Sequence, residues 1–269
     1  MSGTVSAESR DKGVADVLDS LIISTNIYLD RIEVRGELTK TVKPKCRVER
    51  GGVTNFYEAR AKIVNRNSFP FIPILTNKPN SEETIDSRVA QARDDPDSFF
   101  TAGDSPETYC FENPYRKEIN RIGLPSFKRL VQTTLETNHA EKGDRHFFYI
   151  QSEDELRAML SQLSSKRYLC IDLEHHSEHS FEGYTCLMQI SSDDTDYVID
   201  TIALNTKLEA LNSLFTDPLT LKVLHGAEND ILWLQRDLGI YLVGMIDTFL
   251  LARALGHRSN SLASLLQSA

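Results

Sequence analysis

The sequence has no run of apolar residues near the roughly 18–20 that a helix needs to cross a bilayer, so no membrane segment is expected. Its first residues, MSGTVSAESRDKG, lack the apolar stretch of a secretory signal. Cysteine is scarce and scattered: Cys46, Cys110, Cys170 and Cys186 form no CxxC pair. That spacing argues against structural zinc and against a disulfide framework, and fits a reducing intracellular compartment. Positive charge is short as well, with 30 Lys+Arg against 39 Asp+Glu and a net charge of −9. The shortage is local. Residues 1–150 hold 22 basic and 22 acidic side chains, whereas residues 151–269 hold 8 and 17, which supplies the whole imbalance. Carboxylates concentrate in this way where divalent metals, rather than lysines, meet phosphates. The same acids also serve as ordinary solvated surface. At 269 residues the chain can hold one or two domains and bury a real core.

What is present divides in three. Residues 14–32 (VADVLDSLIISTNIYLDRI) repeat apolar side chains at helical spacing, through Val14, Val17, Leu18, Leu21 and Ile22 and then Tyr28, Leu29 and Ile32. One amphipathic helix packed against others is expected. Between Lys40 and Arg66 eight Lys/Arg stand against Glu49 and Glu58. That stretch is either a solvated charged face or a segment turned toward RNA or a partner. Residues 68–145 read as a lasso. SFPFIPILTNKPN alternates proline with apolar residues and suits an extended path along another surface, and ENPYRKEI puts a turn at Asn113-Pro114 before a short helical segment. Such a stretch is not expected to form a core of its own.

From Phe147 strands and helices alternate. FFYI predicts a strand, and SEDELRAMLSQLSS a helix with Ser152 and Glu155 in capping-box spacing. RYLCIDLE, CLMQIS and DYVID predict three strands whose short connections imply antiparallel pairing. A helical LEALNSLF, a strand LKVLHG and a helix AENDILWLQRDL follow. Then come a short apolar strand near Ile240–Val243, the helix DTFLLARAL, and the start of another in SNSLASLLQSA. The fold class is α/β: a mixed sheet flanked by helices, as in RNase H-like folds.

Asp172-Leu173-Glu174 closes an apolar strand. Alternation puts Asp172 and Glu174 on one face, about 7 Å apart at ~3.3 Å per residue. Paired carboxylates repel, and a shared divalent cation removes that penalty; a solvated strand end is the plain alternative. His225-Gly226-Ala227-Glu228-Asn229-Asp230 lies where a strand turns into a helix. That helix buries Ala227, Ile231, Leu234 and Leu238, and Asp230 beside them points to the edge of the core. An acid there is either a structural hydrogen-bond acceptor or a metal-site carboxylate. Asp247-Thr248 reads as a helix N-cap.

Asp-x-Glu on a strand followed by a His-Gly-Ala-x-x-Asp helix resembles the first two motifs of the DEDD exonucleases. The longer strings IDLEHHSEHSFEGYTCLMQIS and VLHGAENDILWLQRDLGIYLVGMIDT resemble the nuclear RNase D-type subunit of the RNA exosome, the exosome component ten family. The likeness is specific over residues 146–269 and looser upstream. It implies a partial 3′-5′ exonuclease domain at 146–269 and a basic, Pro-rich linker or lasso at 41–145. Residues 1–40 would end an N-terminal domain that binds a small nuclear cofactor protein. It also implies two-metal hydrolysis with Mg²⁺ or Mn²⁺ held by Asp172, Glu174 and Asp230, the catalytic set, at single-stranded RNA 3′ ends. Nucleoside 5′-monophosphates would be released in rRNA maturation and decay. The RNA exosome core is the expected partner and the nucleus, nucleolus and nucleoplasm alike, the expected location.

Four further residues are candidate substrate contacts. His175 and His176 face opposite sides of a strand, so they do not share a metal, and His175 is read as a substrate or supporting contact. Gln189, on the neighbouring strand, reaches toward the acids. His225 is structural or lines the groove, and Trp233 packs in the core or stacks a base. The family's third motif, Tyr-x-x-x-Asp, follows the second by several tens of residues. Only 39 residues follow Asp230 here, and Tyr241 precedes Asp247 by six rather than four. The sequence is therefore expected to be a shortened form with an incomplete C-terminal sheet region and little or no turnover. A non-catalytic partner-binding polypeptide is the competing reading. A DNA-directed exonuclease shares the acids but leaves the upstream segments without a purpose.

Overall fold

A computed structural model of the chain describes residues 71–95, 99, 111–123, 127–129, 131–132, 146–177, 183–193 and 195–268. The expected helix at 14–32 and the basic stretch at 40–66 lie outside the described residues. Six strands form one sheet: β1 (His146–Ile150), β2 (Tyr168–His176), β3 (Tyr184–Ser192), β4 (Thr195–Asp200), β5 (Leu221–Leu224) and β6 (Met245–Asp247). Their order is β1-β4-β3-β2-β5-β6. As their short connections require, β2, β3 and β4 pair antiparallel. The outer strands β1, β5 and β6 each join in parallel, and the chain between them crosses over through helices. This is the mixed, helix-flanked α/β sheet expected from the sequence.

Helices α1 (Ser87–Asp94), α2 (Arg116–Arg121), α3 (Glu153–Leu163), α4 (Thr201–Leu204), α5 (Asn212–Phe215), α6 (Glu228–Leu238), α7 (Thr248–Ala254) and α8 (Leu262–Ser268) surround it. A 3-10 segment, Asn205–Leu211, joins α4 to α5. Helix α3 starts where its capping box dictates. Ser152 Oγ accepts the Glu155 amide and Glu155 Oε2 accepts the Ser152 amide at 3.0 Å. A cap of this kind contributes about 1 kcal/mol.

The main core fills one side of the sheet. Leu156, Met159 and Leu163 of α3 and Ile231, Leu234 and Leu238 of α6 pack on Leu169, Ile171 and Leu173 of β2 and on Met188 and Ile190 of β3. Each such apolar side chain contributes about 1.5–3 kcal/mol by leaving water. Period-2 alternation then sends Cys170, Asp172 and Glu174 to the opposite, exposed side.

The structure corrects two expectations. Residues 240–243 form no strand: Ile240, Tyr241, Leu242 and Val243 are buried irregular chain, and the strand lies further on at Met245–Asp247. A short apolar run looks the same whether it pairs or merely packs. The upstream stretch does form an apolar cluster of its own, with Ile72, Val89, Ala92 and Phe111 buried together. Most of its anchorage is nonetheless borrowed. Residues 71–81 run as a strap without regular structure. Glu209 accepts the backbone amides of Thr76 and Asn77, at 2.5 and 3.1 Å, and the Thr76 hydroxyl. Asn80 Nδ2 donates to the Ser213 carbonyl at 2.9 Å. Leu75 and Tyr115 close over Tyr241 and Val243. Among the described residues no helix is long and apolar enough to cross a membrane.

Candidate active site

Asp172 and Glu174 stand exposed on β2 with buried Ile171 and Leu173 between and beside them. Asp172 is paired across the ladder with Gln189 of β3. Gln189 Nε2 reaches Glu174 Oε1 at 3.5 Å, a long contact that leaves most of the carboxylate's capacity open.

The third acid arrives from β5, which runs parallel to β2. The strand ends in His225-Gly226-Ala227. Gly226 takes φ +69°, where a side chain would be strained, and α6 then begins. Asp247 holds this turn. Its Oδ1 accepts the Gly226 amide at 2.8 Å and its Oδ2 the Ala227 amide at 2.9 Å. The same Oδ1 accepts Phe249 N at 2.8 Å, capping α7. Thr248 Oγ1 donates to the Leu224 carbonyl at 3.0 Å and lies 2.9 Å from His225 Nδ1. With its one hydrogen spent on that carbonyl, the hydroxyl accepts from the imidazole, so His225 carries its hydrogen on Nδ1.

Asp230, in the first turn of α6, is 7% exposed. Burial above all, then the Asp172 and Asp247 carboxylates nearby, pushes its carboxyl up to about 7. Thus Asp172 and Asp230 are close enough to act on one another. Among the described residues no Lys or Arg pairs with Asp172, Glu174 or Asp230. An oxygen-only set of acids, one of them buried beside two others, is chemistry that a hard divalent cation relieves. In this sense the residues fit a metal. They do not form a finished cage: among the described residues no three His, Cys, Asp or Glu side chains converge as a preformed metal cluster.

The remaining candidates sit apart from the acids or at their margin. His175 stacks flat on Trp233, ring centroids 4.0 Å apart and planes within 5°, which leaves Trp233 at most one face for a base. His176 tilts against Tyr184. His225 meets the edge of Phe249. Sequence reasoning foresaw the capping by Asp247 but missed its grip on the Gly226 turn. It also missed the Thr185–Asp237 bonds and the Arg236–His175 contact, which join residues 52 and 61 apart and leave no local pattern.

A mixed sheet of this order, with acids on a central strand and a buried acid opening the crossover helix, defines an RNase H-like exonuclease domain. Residues 147–269 match the family described as 3'-5' exonuclease. The chain is 32% identical to the exosome complex exonuclease RRP6 of Saccharomyces cerevisiae over 98% of its own length and 37% of that protein's. It is 36% identical to exosome complex component 10 of Homo sapiens over 77% of the chain and 25% of the human protein. The crystallised catalytic core of RRP6 from Trypanosoma brucei superposes with a TM-score of 0.53 at 31% identity, covering 60% of this chain and 45% of that one. The chain is similar to the Rrp6/exosome component 10 proteins, carries a 3′-5′ exonuclease domain over residues 147–269, and spans between a quarter and about two fifths of the length of these curated relatives.

Proposed function

We propose that the chain comes from a 3′→5′ exoribonuclease of the nuclear RNA exosome, which shortens single-stranded RNA from its 3′ end and releases nucleoside 5′-monophosphates in rRNA maturation and RNA decay. The observation that carries this is Asp172 and Glu174 exposed on one strand face, beside a buried Asp230 whose carboxyl is crowded by its neighbours. Asp172, Glu174 and Asp230 would hold Mg²⁺ or Mn²⁺. Bound divalent metal supplies Lewis-acid charge at the scissile phosphate.

The chain's own residues do the rest. Asp172 and Glu174 present oxygens outward from a rigid central strand. Asp230 adds a third from a helix whose start is fixed by Asp247. With Nδ1 engaged by Thr248, His225 keeps Nε2 for the RNA, and Gln189 lies between the acids and the next strand. The exosome core is the partner that the family names support. A small nuclear cofactor protein at residues 14–32 follows from the resemblance alone, and nuclear residence goes with it.

The test is decay of a 5′-labelled single-stranded RNA with Mg²⁺ or Mn²⁺, comparing the 269-residue chain with its Asp172→Ala variant. A ladder shortening from the 3′ end, lost in the variant, is the expected signature of the family chemistry. No ladder from either folded protein would count against the reading of Asp172, Glu174 and Asp230 as the catalytic set.

A further inference from the structure

Helix α6 grips the end of the β2–β3 pair as well as carrying Asp230. Asp237, 1% exposed, accepts the Thr185 amide and the Thr185 hydroxyl, both at 2.9 Å, on its Oδ2. Arg236 closes on the same carboxylate, Nε to Oδ1 at 2.6 Å and Nη2 to Oδ2 at 3.0 Å. Nη2 also lies 3.2 Å from His175 Nε2. A guanidinium only donates, so this ring nitrogen accepts and the imidazole carries its hydrogen on Nδ1. Trp233 covers one face of the ring. Gly183 borders its edge: a Cβ there would fall 2.1 Å from His175 Cε1. His175 is thus held on its face, its edge and one nitrogen.

What this grip serves is set by the strand register. Glu174 pairs with Leu187 and His175 with Thr185, so the ladder shifts between Glu174 and His175 and Cys186 is the extra residue. A bulge re-aims the side chains beside it. Glu174 is the residue next to it on β2. A buried arginine–aspartate pair is a poor device for stability, because desolvation consumes most of its attraction. It is a good device for fixing geometry.

We propose that His175, locked by Trp233 and Arg236, is a positioning residue that sets the bulge and thereby the aim of the Glu174 carboxylate. The proposal rests on the reading of Asp172 and Glu174 as metal carboxylates. It makes His175 neither a ligand nor a base-stacking platform.

The experiment is Mn²⁺ titration, by calorimetry and electron paramagnetic resonance, of the full 269-residue chain with fold followed by circular dichroism. Asp172→Ala comes first. Its loss of Mn²⁺ binding establishes the site, and wild-type binding there would remove the underlying reading and this proposal with it. Given that loss, His175→Ala and Trp233→Leu are expected to weaken Mn²⁺ by about ten- to hundredfold, the usual effect of removing an outer partner. Trp233→Phe keeps an aromatic face and is expected to restore most of the affinity. Should Trp233→Leu not fold, Arg236→Gln, which leaves the stack's apolar packing in place, is read instead and is expected to weaken Mn²⁺ likewise. Weakening in His175→Ala alone, with the Trp233 or Arg236 variant unchanged, would make His175 a ligand and overturn the proposal. Unchanged affinity in all of them overturns it too.

Discussion

Among the described residues, Asp230 and Lys222 are the two buried ionisable groups whose surroundings move them furthest toward neutral pH. For Asp230 the folded carboxyl, at about 7, holds its proton more tightly than the ordinary value of 3.8. Stability contributed by the bound proton is therefore lost as pH rises from about 4 to about 7. Asp230→Asn is expected to stabilise the metal-free protein at pH 8 by a few kcal/mol, on the order of the shift involved, and to flatten that slope. Denaturant unfolding at pH 5 and pH 8 measures both; a variant no more stable at pH 8 counts against the geometry described. Lys222 has the opposite sign. Burial, against the pull of Asp217, takes its ammonium from 10.5 down to about 7. The unfolded chain then binds the proton better, so stability on this account rises between about pH 7 and 10.5. Nζ donates to the Asp217 and Thr220 carbonyls at 2.7 and 2.6 Å, two bonds that a neutral amine can supply. Lys222→Met strands both carbonyls and is expected to cost about 2 kcal/mol at pH 9 and less at pH 6, where wild type must hold the charge indoors. Urea melts at the two pH values decide it.

Between β5 and α7 the Asp247-Thr248 pair couples one element's start to another's end. Asp247→Ala removes the acceptor of three backbone amides at once, those of Gly226, Ala227 and Phe249. The expected loss is about 3 kcal/mol or more. Asp247→Asn, which keeps one acceptor oxygen, should fall in between; equal stability for Ala and wild type would contradict the clamp. These elements also show what the sequence made legible. The antiparallel trio, the capped α3 and the helix bearing Asp230 each write a local period or a cap, and each stands where the pattern put it. Asp172 and Glu174 share a face because alternation leaves no choice. The mistaken strand at 240–243 came from an apolar run in which Tyr241 and Val243 are buried by Leu75 and Tyr115, more than a hundred residues upstream, and Ile240 and Leu242 by the main core. The Thr185–Asp237 bond and the bulge beside Glu174 were invisible for the same reason. They are agreements between distant residues, with no period to announce them.

Among the described residues both faces of the sheet are packed, but unequally. Helices cover the face opposite the acids, while on the acids' own face Phe127, Leu221 and Ile246 pack together and Cys170, Asp172 and Glu174 remain accessible. The strap is part of the closed architecture rather than a tether. A chain beginning at residue 146 loses the Leu75 and Tyr115 cover over Tyr241 and Val243. It is expected to melt lower than the full chain and to bind a hydrophobic dye that the full chain excludes. Identical melting curves would reduce the strap to decoration. The strap's contacts also impose an order in time. Thr76 finds its acceptor on Glu209, 133 positions later, and Asn80 reaches Thr216, 136 positions later. At about 5–20 residues per second of synthesis, residues 71–81 are made roughly seven to twenty-seven seconds before their docking surface exists. For that interval Leu75 lacks the Tyr241 and Val243 side chains it will pack against, the kind of exposed apolar group that chaperones hold and that aggregation finds first.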